Sequence, residues 1–296
     1  MSSRASPAAA FGVACAGIAV FSLMDAVMKG LSLQIGTYNA LLWRTLASVL
    51  IGLPFVLVRR IRPVRQGMRL HLIRGSASAV MAMLFFWGLA RVPMAQAIAL
   101  CFVAPLIALF LASVLLGEKI RRSAIVASVV GFAGVLVIVS GQAGAPQGDD
   151  MLLGSAAILL SAGIYAFNII LMRKQAKVAG PFEIAFFTSL VMSGCYVAAA
   201  PVLAAWPAAQ HWPALIGAAA LAYVSLFCLG WAYARAEAQV LAPVEYTGFI
   251  WASLFGFLFF AEPVALPTLA GAAMIVGACL IAARQTAPPD PETGVL

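Results

Sequence analysis

Ten apolar stretches, each about long enough to cross a lipid bilayer as a helix, account for most of this sequence. A spanning helix needs about 20 predominantly apolar residues. The approximate bounds of these stretches are residues 8–31, 38–58, 70–90, 93–116, 122–141, 151–172, 182–204, 212–235, 239–261 and 265–283. Helices satisfy their own backbone hydrogen bonds, as lipid requires, whereas the strands of a membrane barrel alternate over about ten residues. We therefore predict an all-α membrane protein with ten transmembrane helices.

The composition excludes a water-soluble enzyme and a disordered chain. Of the 296 residues, 64% are hydrophobic and only 9% are charged, whereas an ordinary soluble domain has about 25% charged residues. Disorder requires low hydrophobicity together with a high density of charge. The five cysteines lie in apolar stretches without a CxxC spacing, and the two histidines are isolated. Metal and catalytic sites need clusters of such residues, so we expect no metal, no disulfide and no cofactor.

Basic residues are concentrated in alternate connections between the stretches. They fill the second, fourth and sixth connections, whereas the fifth contains Asp149 and Asp150. Cytoplasmic loops of membrane proteins collect Lys and Arg. The alternation therefore predicts a multi-pass protein of the cell inner membrane with both termini in the cytoplasm. The same rule explains the net charge of +8 without a nucleic-acid partner.

The two halves of the chain resemble each other. A shift of 146 residues matches residues 16–21 with residues 162–167. The pairs that coincide at a shift of 144 residues include Trp87 with Trp231, Arg91 with Arg235 and Glu118 with Glu262. Five spans in each half force the second half to enter the membrane from the opposite side, which is the inverted-repeat plan of secondary transporters.

This repeat divides the chain into four parts. The predicted parts are a first five-helix repeat at residues 1–141, an external connection at 142–150, a second inverted five-helix repeat at 151–284 and a cytoplasmic tail at 285–296. In such a plan the binding site lies near the middle of the membrane, between the halves.

A motif that begins within the fourth stretch and ends just after it resembles a known family. The run from Ala104-Pro105 through Leu115-Leu116-Gly117-Glu118, followed by a glycine-rich helix at 129–139, resembles the EamA-type members of the drug/metabolite transporter superfamily. Arg44 fits the arginine usual in the second span of that family, and residues 259–263 repeat the motif with Ala261 in place of a glycine. The resemblance covers about residues 8–284. It implies export or exchange of small metabolites, often amino acids, and aromatic amino-acid exporters of the YddG type look most similar.

Ionisable residues within the apolar stretches are candidates for a transport role, because charge is costly inside a membrane. The candidates for an outer gate are Lys29, Arg44 and Arg91, and those for an inner gate are Glu183, Arg235 and Glu245, with Glu237 beside them. Asp25 and Lys29 are four residues apart, so they share a helix face and can pair. The alternative is that the shallow charges are anchors that reach the headgroups. For Glu118 and Glu262 we favour a structural role in closing helix hairpins.

Aromatic and polar residues near the middle of the spans are candidates for binding a substrate. The substrate-binding candidates are Asp25, Trp87, Pro105, Tyr165, Asn168, Tyr246 and Trp251. Aromatic rings would stack on an aromatic substrate, and Asn168 could hold a carboxylate or an amine. Pro105, placed mid-helix, would free the carbonyl of Cys101. The alternative for each is ordinary packing or a tolerated kink.

Together these features predict a secondary carrier that works by alternating access. We expect it to export amino acids, including aromatic ones, so that its partners are a small-molecule substrate and the lipid bilayer. The sequence has no Walker A motif for a pump and no HExxH or GxSxG motif for an enzyme. Another small metabolite or drug as substrate, a channel, and an intramembrane enzyme remain the alternatives.

Overall fold

The fold consists of helices that run back and forth along one axis. A computed structural model describes residues 7–60, 65–116, 122–141, 148–175, 178–233 and 238–284, and within them the chain forms α-helices, one short 3-10 helix and no strand. The helices are α1 Pro7–Ile35, α2 Thr37–Val58, α3 Arg65–Leu89, α4 Met94–Cys101, α5 Ala104–Leu116, α6 Arg122–Ser140, α7 Gly148–Gln175, α8 Pro181–Leu203, α9 Trp212–Tyr233, α10 Ala238–Phe260 and α11 Leu266–Arg284. The predicted all-α class is confirmed.

Six of these helices are long and apolar enough to cross a membrane. Their apolar parts are Ala9–Ile35, Thr37–Val58, Gly67–Leu89, Gly148–Met172, Phe182–Leu203 and Ala209–Ala232. Shorter apolar helical segments are Met94–Ala108, Ser128–Ser140, Val244–Phe260 and Leu266–Ala278. Large apolar side chains such as Leu50, Val114 and Phe257 remain exposed on the surface of the bundle. Because contiguous exposed apolar surface fits contact with lipid, the chain is a multi-pass membrane protein.

The predicted stretch at 93–116 is not a continuous helix. It divides into α4 and α5 at Phe102 and Val103. We expected Pro105 to lie in the middle of one continuous helix and to free the carbonyl of Cys101, and the mid-helix position is wrong. Pro105 is the second residue of α5, where proline is well tolerated because the first turn has no intrahelical partner for its missing N–H. The backbone therefore breaks before the proline rather than bending around it.

The helices pack in a regular set of pairs. α1 packs against α9 and α10, and α7 packs against α3 and against α4 and α5. α2 packs against α8, and α6 against α11. The main core is apolar and contains side chains from most of these helices, including the fully buried Met28, Leu41 and Leu100.

Glycines permit the closest of these approaches. A Cβ atom added at Gly134 on α6 would lie 2.8 Å from the carbonyl oxygen of Gly271 on α11. Small residues let helix backbones approach in this way within membranes. The two glycines therefore lie at a close contact between α6 and α11.

Candidate functional site

A buried carboxylate and a guanidinium face each other across α1 and α2 without forming an ion pair. Asp25 on α1 is 2% exposed, and Arg44 on α2 is half-buried. The two groups interact electrostatically, yet no nitrogen of Arg44 lies within 4.0 Å of the Asp25 carboxylate. Asp25 Oδ1 and Arg44 Nε are both buried without a hydrogen-bond partner. Since each buried unsatisfied polar group costs about 1–3 kcal/mol, this arrangement is suited to a third group that bonds to both.

Two further residues surround this pair. Cys101, the last residue of α4, lies close enough to Asp25 to interact with it electrostatically. Tyr196 on α8 interacts in the same way with Arg44. The hydroxyl of Tyr196 donates to the carbonyl of Ala79 at 2.7 Å, which fixes its ring. We call Asp25, Arg44, Cys101 and Tyr196 the Asp25 site; it lies where α1, α2, α8 and the end of α4 converge.

Aromatic rings border the Asp25 site at the break between α4 and α5. Phe102 follows Cys101 in the chain, and its ring meets that of Tyr246 on α10 edge to face at 5.3 Å. One and a half turns further along α10, Trp251 stacks on Phe255 at 6.2 Å, and its Nε1 is buried without a partner. The predicted substrate residues Tyr246 and Trp251 therefore lie on the helix that packs against α4.

At one end of the bundle, an ion pair connects α1 to the turn between α10 and α11. Lys29 pairs with Glu262, and its Nζ also donates to the carbonyl of Val92 at 2.7 Å. The second carboxylate oxygen of Glu262 accepts from the backbone N–H of Met94 at 2.8 Å. The pair is largely buried, with side-chain exposures of 4% and 19%. We call Lys29, Val92, Met94 and Glu262 the Lys29 cluster.

The turn that carries Glu262 has a distinctive backbone. Ala261 adopts a φ of 52°, in the left-handed region that glycine favours. The N–H of Glu262 donates to the carbonyl of Gly256 at 3.1 Å. A Cβ atom at Gly256 would lie 3.0 Å from the Glu262 carboxylate. The turn thus directs the carboxylate back toward α4 and Lys29.

The Lys29 cluster differs from what the sequence indicated. Lys29 and Asp25 share a face of α1, but Lys29 pairs with Glu262 from the turn between α10 and α11 and not with Asp25. The reason is geometric, because Glu262 and the Val92 carbonyl together provide two partners for one ammonium group. The structural role we favoured for Glu262 in its own hairpin extends to a contact 233 residues away in the chain.

At the opposite end of the bundle, a network of hydrogen bonds connects α3, α7 and α8. His71 is fully buried; its Nε2 lies 3.2 Å from Glu183 Oε1, and its Nδ1 lies 2.6 Å from Gln175 Nε2. Arg74 donates to Gln175 Oε1 and to Thr188 Oγ1, both at 3.1 Å. We call these five residues the His71 cluster. It lies about 27 Å along α3 from the helix end that precedes the Lys29 cluster, since His71 and Leu89, the last residue of α3, are 18 positions apart at 1.5 Å per residue.

The hydrogen bonds of the His71 cluster define the state of the histidine. Because Gln175 Oε1 accepts from Arg74, the amide nitrogen of Gln175 faces His71. His71 Nδ1 is then an acceptor, and Nε2 carries the proton that it donates to Glu183. The imidazole also stacks on Phe187 at 4.9 Å. Glu183 was predicted from the sequence, but His71 and Gln175 were not, since an isolated histidine and a glutamine more than 100 residues away give no local signal.

Two predicted residues, Trp87 and Arg91, lie at the surface. Trp87 occupies the last turn of α3 and not the middle of a span, so its expected position was wrong. Arg91 stacks over the Trp87 ring at 3.5 Å and pairs with Asp150 at 3.1 Å. Asp150 has a side-chain exposure of 64%. The predicted stretch 70–90 also ends only three residues after Trp87, so a position near the helix end was the consistent expectation.

The remaining candidates are distributed along the bundle. Asn168 on α7 donates to Ser78 at 3.2 Å, and its Oδ1 is buried without a partner. Tyr165 is 41% exposed, and Pro105 and Glu245 are exposed. Glu118, Arg235 and Glu237 lie outside the described residues. The structure therefore brings Asp25 and Arg44 together but does not gather all the candidates into one site.

Comparison with known proteins identifies the family that this architecture matches. The model of the EamA-like transporter family matches the chain at residues 9–140 and 152–284. A crystal structure of another protein superposes with a TM-score of 0.61 over 95% of this chain and all of that chain, at 17% sequence identity. This likeness concerns the fold alone.

Relatives with assigned roles are transporters of different compounds. The chain is 26% identical to the pseudopaline exporter CntI of Pseudomonas aeruginosa, over 89% of this chain and 92% of that protein. It is 29% identical to a riboflavin transporter of Vibrio cholerae, over 88% of each chain. It is 25% identical to an S-adenosylmethionine uptake transporter of Rickettsia bellii, again over 88% of each chain. The relatives thus share the transporter class and differ in substrate.

Proposed function

The chain belongs to the EamA-like transporter family, and we propose that it is a secondary carrier that exports small amphipathic metabolites, most notably neutral and aromatic amino acids. It is a transporter and not an enzyme. The observation that carries the proposal is the Asp25 site, in which Asp25 Oδ1 and Arg44 Nε are buried without hydrogen-bond partners, although Arg44 Nη1 donates to Met24 Sδ at 3.7 Å. Ionisable residues of this kind mark substrate pathways in membrane proteins. The neighbouring rings of Phe102 and Tyr246 offer apolar surface to a side chain.

The proposed architecture has ten spans in two inverted halves. In this scheme α4 and α5 together form the fourth span, so that the helices before and after the 142–150 connection supply five spans each. The packing pairs support this scheme, because the first helix of each half packs on the third helix of the other half. These pairs are α1 on α9 and α7 on α3. The family model also matches the chain in two separate stretches, one in each half. Broken helices such as α4–α5 commonly line binding sites between such repeats.

The proposed gates lie at the two ends of the bundle. The Lys29 cluster connects α1, α4 and the α10–α11 turn, so we assign it to the outer gate, with Arg91 at its periphery. Glu183, within the His71 cluster, belongs to the inner gate. Alternating access requires the two closed arrangements to have similar free energies, so each gate need contribute only a few kcal/mol.

The proposed orientation has both termini in the cytoplasm and the 142–150 connection outside. It rests on the basic residues of the second, fourth and sixth connections. Cysteines introduced at Asp149 or Asp150, in a variant lacking the native cysteines, should react with an impermeant maleimide added to intact spheroplasts. Reaction only after the cytoplasmic face is exposed would reverse the orientation.

Counterflow in proteoliposomes tests the transport proposal. Vesicles loaded with unlabelled phenylalanine should accumulate labelled phenylalanine from the medium, saturably and only transiently. The Asp25→Asn variant should abolish this exchange, whereas Asp149→Asn, which changes the same charge at an exposed position, should retain it. A flux that is not stimulated by internal substrate would favour a channel. Absence of exchange for every amino acid in a panel would overturn the proposed substrate.

A further inference from the structure

The Asp25 site has the charge pattern of a zwitterion receptor. We propose that Asp25 binds the ammonium group and Arg44 the carboxylate of the substrate, so that the site selects α-amino acids in which both groups are free. This inference rests on the proposed function and adds the chemical group that each residue recognises. The side chain of the substrate would then extend toward Phe102 and Tyr246.

The first argument is the separation of the two charges. If Asp25 and Arg44 served only to neutralise each other, a direct hydrogen-bonded pair would be the ordinary arrangement, because such a pair offsets part of the desolvation of both charges. The same protein forms such a pair between Lys29 and Glu262. Asp25 and Arg44, in contrast, stay more than 4.0 Å apart, each with a buried atom that lacks a partner.

The second argument is the overall charge of the site. A carboxylate and a guanidinium together have no net charge, so a zwitterion can enter without adding net charge to the membrane interior. An amine alone would leave Arg44 without a partner, and an acid alone would leave Asp25 without one. Charge complementarity of this kind determines specificity more than affinity.

The third argument is the backbone beside Asp25. α4 ends at Cys101, and the last carbonyl groups of a helix carry partial negative charge. Cys101 lies near Asp25, so the end of α4 adds to the negative potential on the side of the site assigned to the ammonium group. The guanidinium of Arg44 lies on the other side, where a carboxylate is favoured.

These arguments predict which analogues the wild-type carrier accepts. Phenethylamine, 3-phenylpropionate and phenylalanine methyl ester each keep the aromatic ring and lose one of the two charged groups. Each should compete with labelled phenylalanine at least about tenfold more weakly than phenylalanine itself, because a site built for a polar group discriminates strongly against a ligand that lacks it. Equal competition by all four compounds, with exchange intact, would overturn the zwitterion site and leave the proposed carrier standing.

Single variants assign each group to its residue. Asp25→Asn should reduce the discrimination against 3-phenylpropionate, which lacks the ammonium group, while keeping the discrimination against phenethylamine. Arg44→Gln should do the reverse. A purely structural pair would alter both preferences alike, and that result would contradict the assignment. Substrate-induced thermal stabilisation in detergent provides the same comparison for variants that bind but no longer exchange.

The double variant separates binding from mutual neutralisation. If the two charges only compensate each other, Asp25→Asn with Arg44→Gln should restore exchange to near the wild-type rate, since no buried charge is left alone. If they bind the substrate, the double variant should recover thermal stability but not phenylalanine exchange. Restored exchange would overturn the proposal. If the wild-type carrier exchanges no amino acid at all, the proposed substrate and the zwitterion site both fail. If it exchanges phenylalanine but does not discriminate against analogues that lack a charged group, only the zwitterion site fails.

Discussion

In the proposed architecture α1 and α7 occupy corresponding places in the two halves of the chain, yet they differ in the chemistry of their buried residues. The shift of 146 residues that matches 16–21 with 162–167 places Asp25 on Leu171 and Lys29 on Gln175. Both members of each pair are buried. The two charged residues of α1 are therefore replaced in α7 by an apolar residue and by a neutral amide.

In the proposed architecture the helical plan is repeated, whereas the buried charges of α1 are not. Lys29 connects α1 to its neighbours at one end of the bundle through an ion pair. Gln175 connects α7 to its neighbours at the opposite end through hydrogen bonds to His71 and Arg74. Opening the two ends should therefore have different energetic costs. It also follows that the charged part of the proposed substrate site belongs to the first half alone.

The largest loss of stability should follow from replacing Lys29 on α1 with glutamine, the residue at the corresponding position 175 of α7. Lys29→Gln leaves the partly buried Glu262 without its cation, and removing one partner of a buried ion pair typically costs about 3–5 kcal/mol. We expect a clear loss of thermal stability in detergent, measured by tryptophan fluorescence. Adding Glu262→Gln should recover part of the loss. An unchanged midpoint for Lys29→Gln would show that the pair contributes little.

Removing the amide at the corresponding position of α7 should lower the thermal stability by less. Gln175→Leu leaves His71 Nδ1 unsatisfied and removes one acceptor of Arg74, which retains Thr188. One buried unsatisfied group costs about 1–3 kcal/mol, so we expect about half the loss seen for Lys29→Gln. Phe182→Leu, an apolar change on a neighbouring helix, is the control. A loss equal to that of Lys29→Gln would contradict the difference between the two ends.

A third comparison concerns α6 and α11, where the two halves should agree. Gly134 and Gly271 approach each other's backbone closely, and crowding a packed contact costs about 1–3 kcal/mol. Gly134→Ala and Gly271→Ala should therefore lower the free energy of unfolding by similar amounts. Gly277→Ala is the matched control, because its added Cβ would meet no atom within 4 Å. Unequal effects would argue against equivalent roles for the two helices.

The smallest effect should come from the exposed pair of Arg91 and Asp150. Exposed ion pairs contribute about 0.2–1 kcal/mol. The stacking of the Arg91 guanidinium on Trp87, which is also lost in Arg91→Gln, adds about 0.5–1 kcal/mol at an exposed site. Arg91→Gln should therefore shift the unfolding midpoint only slightly. It should also leave unchanged the side of the membrane from which Cys101 is labelled. A large shift in accessibility would instead support the gate role predicted for Arg91 from the sequence.

Patterns within single helices were predictable from the sequence, whereas contacts between distant helices were not. Long apolar stretches defined the helices, and the cost of charge in lipid singled out Asp25, Lys29 and Arg44. The partner of Lys29 was missed because spacing rules describe one helix at a time, and Glu262 is 233 residues away. His71 was missed because its partners Gln175 and Glu183 come from other helices. The break before Pro105 was missed because an apolar stretch does not reveal where its backbone stops being helical.

Accessibility of Cys101 tests alternating access most directly. Cys101 is a free thiol beside Asp25, so a variant that keeps only this cysteine reports on the proposed substrate site without an added label position. In oriented vesicles an impermeant maleimide should reach Cys101 mainly from the side opposite the Lys29 cluster, and phenylalanine should slow the reaction. Lys29→Gln should increase the reaction from the Lys29 side. Equal reaction from both sides at once, unaffected by phenylalanine or by Lys29→Gln, would contradict a carrier gated at its two ends.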